Sequence, residues 1–235
     1  MKKIGMIGGF GPEATLDYYR LLIETYRKKI KDGSNPEIII YSMDINILLN
    51  LVANQQWDNL VKWLVNSLEV LHKAGANFRF ISANTPHIVF DRVNELSPLP
   101  LLSIVEETCK HIDRLALRRV GLLGTKFTMQ SDFYQKVCDK YKVAVFVPNE
   151  KEQEYIHSKL ITEIEFGIFL DKTREGLLNI IKRMIDENLI EGIILGCTEL
   201  PLILTKSEFD IPFLNTTKIH VESIVNYYLK CSKGK

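Results

Sequence analysis

The stretch Lys2–Gly8, KKIGMIG, returns as Arg118–Gly124, RRVGLLG, and that return decides the fold. Each copy has two basic residues, a short apolar run and a closing glycine. Such a run reads as a buried strand, too short for a helix of ordinary length. Two further landmarks come back at nearly the same spacing. Ala83-Asn84-Thr85 matches Cys197-Thr198-Glu199, and Leu99-Pro100-Leu101-Leu102-Ser103 matches Ile211-Pro212-Phe213-Leu214-Asn215. The three offsets are 116, 114 and 112 residues, close enough to mark one design used twice.

Between these landmarks strand and helix patterns alternate. Lys3–Ile7, Glu37–Met43 and Phe78–Ser82 read as strands in the first half, with helical periodicity over Thr15–Lys31 and Gln56–Ala74. The second half repeats the order with Val120–Leu123, Val143–Val147 and Gly192–Leu195, and with helices over Ser131–Tyr141 and Thr173–Asn188. Alternation of this kind builds parallel sheets covered by helices. The expectation is α/β, with two tandem pseudo-symmetric domains. The first takes residues 1–100 plus 211–235, with the last helix, Thr217–Leu229, packed back on it, and the second takes 101–210. Ligands of open parallel sheets bind beyond the carboxyl ends of the strands, and Ala83 and Cys197 both fall at such ends. Facing domains would bring the two turns to opposite sides of one cleft. That suits inversion of a stereocentre, where one proton leaves a carbon and another arrives on its opposite face.

Composition narrows the function further. A quarter of the residues are charged and the net charge is +1, so there is no basic excess for a nucleic-acid partner. The basic clusters Arg27–Lys29 and Arg118–Arg119 read as solvated element ends. No apolar run approaches the ~18 residues of a membrane span, and the start lacks a secretory pattern, so a cytoplasmic protein is expected. Cys109, Cys138, Cys197 and Cys231 have no CxxC spacing, which predicts reduced thiols and neither structural zinc nor a disulfide framework.

The turn Gly8-Gly9-Phe10-Gly11-Pro12-Glu13-Ala14 fits GxGxxA from Gly9, with Asp44 after the second strand. Dinucleotide binding, small-carboxylate binding and a purely structural turn are all open. Backbone N–H groups at a helix start favour the carboxylate, and Pro12 reads as the first helical residue. Cys197 sits at a strand end before a helix start, where helix N–H groups would lower its pKa and make it a base or nucleophile. Cys109 and Cys138 fall on apolar helix faces and Cys231 in the tail, which reads as structural or incidental. Asn84 and Thr85 before Pro86 suit either a helix cap or a substrate contact. His87 and His220 are supporting candidates for the two turns.

With IGMIGGFGPEAT, SANTPH, LLGTKFTMQSDFY, GCTELPLIL and IPFLNTTKIH, the chain resembles the aspartate/glutamate racemase family over essentially its whole length. The resemblance implies an amino-acid racemase with its site between two domains. It implies no pyridoxal phosphate, no metal and no other cofactor, a small-molecule amino-acid substrate, and a homodimer. Two thiols would then serve as general acid and base on opposite faces. Cys197 matches one of them. Asn84, Thr85, Thr125, Thr128 and Thr198 would hold the substrate, with Glu199 supporting and Phe10 lining the cleft. The departure is Ala83, which stands where the family has a second cysteine. Either an alanine has replaced a natural cysteine, leaving a form that binds substrate and barely turns it over, or this is a single-thiol member. A single-thiol decarboxylase or isomerase of small carboxylic acids, and a non-catalytic amino-acid binder, are the competing functions. Aspartate-selective members carry an arginine in the loop after the second strand and a further basic residue near Gly167. Here Asp44-Ile45-Asn46-Ile47 and Ile168 supply neither, and Lys126 is the remaining basic candidate.

Overall fold

The computed structural model describes residues 2–232. The chain opens with β1 (Lys3–Gly8), α1 (Pro12–Ile30), β2 (Glu37–Ser42), α2 (Ile45–Ala53), α3 (Trp57–Lys73) and β3 (Phe78–Ile81). A short 3-10 helix (Thr85–Val89), α4 (Phe90–Glu95) and β4 (Leu101–Leu102) follow. Then come α5 (Ile104–Arg114), β5 (Arg119–Leu123), α6 (Lys126–Gln130), α7 (Phe133–Asp139), β6 (Ala144–Phe146) and α8 (Glu150–Thr162). A second 3-10 turn (Ile164–Phe166), α9 (Asp171–Asn188), β7 (Gly192–Leu195), α10 (Leu200–Ile203), β8 (Phe213–Asn215) and α11 (Thr216–Ser232) complete it.

The strands form two parallel four-stranded sheets, β2-β1-β3-β4 and β6-β5-β7-β8. The repeat seen in the sequence is kept down to register. Ile4 faces Phe78 and Gly5 faces Arg79, as Val120 faces Gly192 and Gly121 faces Ile193. The chain divides into one compact unit of Met1–Ile104 with Thr217–Lys235 and another of Val105–Thr216. The boundaries therefore fall later than 100 and 210. β4 pairs with β3 and β8 with β7, so each proline-containing strand closes the sheet that precedes it. Residues 211–216 thus leave the first unit, while α11 packs on it.

In the first unit, alternation along the strands sends side chains to two helical layers. Ile4, Met6, Phe78 and Phe80 pack with Tyr18, Leu21 and Leu22 of α1 and with Val221, Ile224, Val225 and Tyr228 of α11. Ile7 and Ile81 face the other way, onto Leu60, Leu64, Leu68 and Leu71 of α3. That spacing places the α3 leucines on one stripe, each contributing roughly 1.5–3 kcal/mol by leaving water. In the second unit Leu123, Ile193 and Leu195 pack on Ile156 and Leu160 of α8 and on Leu177, Ile181 and Met184 of α9.

The basic clusters end elements, as expected. Arg27, Lys28 and Lys29 occupy the last turn of α1, where cations complement the helix dipole. Arg119 lies over the Phe146 ring at 4.5 Å and donates to the Asn188 carbonyl, and Arg118 pairs with Asp113 at 3.0 Å. The cysteine expectation needs correction. Cys109 on α5 and Cys138 on α7 form a disulfide, with Cα atoms 5.4 Å apart and both residues fully buried. Their 29-residue separation carries no spacing motif, because folding alone brings the two helix faces together.

His220 on α11 is held neutral in the first unit. Its Nδ1 accepts from the Tyr18 hydroxyl at 3.0 Å, and its Nε2–H donates to the Leu102 carbonyl at 3.3 Å. Burial, then the neighbouring His87, drives its pKa down to about 3. Burial likewise drives His87 down to about 4, against a smaller opposing pull from the Ala83 and Asn84 backbone. His87 stacks on Phe90 at 4.9 Å, and neither ring nitrogen has a hydrogen-bond partner of normal geometry.

Both folded-state values lie below the ordinary 6.5. As pH falls from 6.5 toward about 4, the unfolded chain takes up protons that the folded chain refuses, so stability falls with acidification. Each histidine contributes a slope of up to about 1.4 kcal/mol per pH unit. Denaturant titrations across this window should show that slope, and His87→Phe, which keeps the stacking, should reduce it by one histidine's share. Gly9 gives a second test. It has φ +87°, and a Cβ there would stand 2.0 Å from the Met43 carbonyl oxygen. Gly9→Ala should cost at least about 2 kcal/mol in the same titrations.

Candidate active site

In each unit the strand order reverses direction between its first and third strands, β1 and β3 or β5 and β7. Chains leaving such a pair diverge and open a crevice at the strands' carboxyl ends. The residues singled out in the sequence lie at these places.

In the first unit, the turn after β1 carries Gly9 and Phe10, and the turn after β3 carries Ser82, Ala83 and Asn84. The Ser82 N–H donates to the Ile7 carbonyl at 3.0 Å and its hydroxyl to the same oxygen at 2.9 Å, which ties the second turn to the first strand. Phe10 and Ala83 belong to one buried cluster, with the Trp63 ring 5.9 Å from that of Phe10. Asn84 precedes the 3-10 helix opened by Thr85, but its side chain makes no capping bond. Its carbonyl accepts from the His87 N–H at 2.9 Å. The capping reading of Asn84 is thus set aside. Thr85 is half-buried, and the Ala83 side chain is a methyl with no proton to give or accept.

The glycine-rich turn is tied to the helix that follows it. The Gly9 N–H donates to the Thr15 hydroxyl at 2.9 Å, and that hydroxyl donates to the Gly11 carbonyl. One amide of the expected carboxylate cradle is therefore already satisfied. Gly9 itself is required by the Met43 backbone passing beside it.

In the second unit, the Gly196 N–H donates to the Leu123 carbonyl at 2.7 Å, the counterpart of the Ser82 bond. Thr125 caps α6. Its hydroxyl accepts from the Thr128 N–H at 3.3 Å and lies 3.1 Å from the Thr128 hydroxyl. Thr128 is buried and faces Gly124 and Gly196, so Thr125 is the more open of the two. Lys126 reaches away to Glu154, 2.6 Å distant.

Cys197, two residues past the end of β7, is a free thiol, 9% exposed. It donates to Glu199 Oε2 at 3.0 Å, and the Thr198 hydroxyl donates to the same oxygen at 2.7 Å. The thiol pKa is pushed well above its ordinary value, first by burial, next by the Glu199 charge and hydrogen bond, and last by Glu165. A backbone N–H of Glu199 opposes this weakly. The sequence reading of a helix-lowered thiol is corrected here. The helix that follows, α10, has only four residues, and a carboxylate in contact outweighs so short a dipole.

Glu165, on the 3-10 turn after α8, escaped the sequence reading. Its carboxyl is pushed up by partial burial and then by Glu199, although the residue as a whole is exposed. It lies 34 positions before Glu199, and only the packing of that turn near α10 could reveal it. His220 belongs to the first unit, so within the second unit it is no partner of the Cys197 turn.

The chain is similar to known proteins over nearly its whole length. The broad specificity amino-acid racemase RacX of Bacillus subtilis (strain 168) is 28% identical over 230 residues, 96% of this chain and 98% of that protein. The crystal structure of an aspartate racemase homologue from Pyrococcus horikoshii OT3 superposes with a TM-score of 0.84 at 37% identity, covering 97% of this chain and 99% of that one. The glutamate racemase of Aquifex pyrophilus, at 18% identity and a TM-score of 0.67 over 96% of this chain and 83% of its own, shares the fold. A family model described as Asp/Glu/Hydantoin racemase matches residues 7–224, and the chain belongs to that family.

Proposed function

We propose that the chain is an amino-acid racemase of the aspartate/glutamate type that works without pyridoxal phosphate or metal, with Cys197 as its acid–base group on one face of the α-carbon. The observation that carries this is the free Cys197 thiol two residues past the end of β7, hydrogen-bonded to Glu199, which also accepts from the Thr198 hydroxyl. In this reading the thiolate takes the α-proton and the thiol returns it. Glu199 orients the S–H bond, and the Thr85, Thr125 and Thr198 hydroxyls with the Asn84 amide hold the carboxylate and amine. Thr128 supports Thr125, and Phe10 packs against the turn of Ala83. The reading carries with it a cytoplasmic homodimer acting on free amino acids.

Inversion needs a second acid–base group, and Ala83 has none. The chain should therefore exchange the α-proton of one enantiomer with solvent and return it to the same face. Ala83 also favours a second reading, a single-thiol decarboxylase or isomerase of small carboxylic acids, which needs protonation on one face only.

Proton NMR in D₂O over a panel of L- and D-amino acids separates the two. The racemase reading expects inversion to appear in Ala83→Cys, and Cys197→Ser to slow exchange by at least about 100-fold in either background. If neither Ala83 nor Ala83→Cys protein exchanges any α-proton, the racemase reading falls, and turnover of malonate-type acids would support the second.

The raised thiol pKa sets a pH profile. Only the thiolate removes a proton, so kcat/KM for exchange should climb by about tenfold per pH unit through neutrality. Removing the Glu199 charge lowers the thiol pKa, and Glu199→Gln should displace that climb toward lower pH. An unchanged profile would remove Glu199 from its place beside the reacting thiol.

A further inference from the structure

Arg79, the second residue of β3, is fully buried. The ladder sets it between Gly5 of β1 and Leu101 of β4. Gly5 makes room for its stem, since a Cβ there would stand 2.8 Å from Arg79 Cγ, 2.9 Å from the Ala76 methyl and 3.3 Å from Leu71. The guanidinium therefore enters an apolar layer under α3. There Nη1 donates to the Leu68 carbonyl at 2.7 Å, while Nε and Nη2, both shut off from solvent, have no acceptor. Among the described residues no carboxylate forms an ion pair with Arg79. Glu69 acts on it only through its field, against the larger effect of burial, which lowers the guanidinium pKa. A buried cation without a counter-charge is strongly destabilising. Nε–H and Nη2–H lie side by side on one edge of the rigid guanidinium plane, the edge that grips an anion with two hydrogen bonds.

We propose that this edge of Arg79 holds one small monovalent anion of the chloride class, buried between β3 and α3 as a structural partner of the guanidinium. One negative charge balances one guanidinium. A halide needs only the two N–H groups that Arg79 has to offer. A carboxylate or phosphate would bring further oxygen lone pairs in beside Leu71 and Ala76, and each would need a donor of its own. β3 runs on from Arg79 to the Ala83 turn, so the anion fastens to α3 the strand that carries that turn. The site is separate from the Cys197 chemistry and does not depend on the racemase reading.

An anion bound only by the folded chain raises the melting temperature as its concentration rises. With ionic strength held constant, replacing gluconate by chloride should raise the melting temperature of the full chain along a saturating curve. The rise should reach at least about 3 °C once chloride exceeds its dissociation constant about tenfold, and bromide should substitute for chloride. Arg79→Met keeps an unbranched stem and removes the charge. Whatever its absolute stability, it should show no saturable chloride response. Should Arg79→Met fail to fold, crystals of the unaltered chain grown in bromide decide the matter, with an anomalous peak expected in contact with Nε and Nη2. A melting temperature indifferent to chloride, a saturable response kept by Arg79→Met, or a water or the Glu69 carboxylate at that edge in bromide crystals would each overturn the proposal.

Discussion

Each sheet is organised by the parallel pairing of its first strand with its third, and one hydrogen bond carries that pairing past the strand end. Ser82 N–H to the Ile7 carbonyl in one unit, and Gly196 N–H to the Leu123 carbonyl in the other, bind each functional turn to the neighbouring strand. A turn held in this way cannot drift from the sheet, so Ala83 and Cys197 inherit the precision of the β-ladder. The close approach also explains the small residues that end these strands. A Cβ at Gly8 would strike Thr15, and one at Gly124 would strike Thr128, the threonines of the following helices.

On this shared scaffold the two units have diverged chemically. The first has an apolar turn, in which Ala83 packs with Phe10 and a buried, neutral His87 lies close behind. The second carries the Thr198 hydroxyl and Glu199 beside a thiol whose pKa is raised by burial and then by Glu199. Duplication kept backbone geometry while letting side chains part, because the ladder depends on N–H and C=O groups that every residue except proline supplies.

Much of this was legible in the chain itself. The buried strands KIGMI, RVGLL and GIIL and the long amphipathic helices declared a parallel α/β design, and the offset of the proline-containing strands anticipated β4 and β8. Two of the longer helices, α2 and α8, were missed. α2 follows its strand after two residues, with a run of apolar side chains that has no clear helical stripe. α8 is so rich in charge that its capping box, Asn149 with Glu152, was its clearest sign. The disulfide and the influence of Glu165 on the Cys197 thiol had no local signature.

The sequence alone determined the α/β class, the twofold repeat, the positions of Ala83 and Cys197 at strand ends, and membership in a racemase-like family, because each follows from periodicity or from motifs a few residues long. Tertiary structure decided the pairing of Cys109 with Cys138, the placement of β4 and β8, the neutral state of His87 and His220, and the upward rather than downward shift of the Cys197 thiol. These depend on desolvation and on charges brought near by folding. Both fall off over a few ångströms in space and leave no mark on distance along the chain.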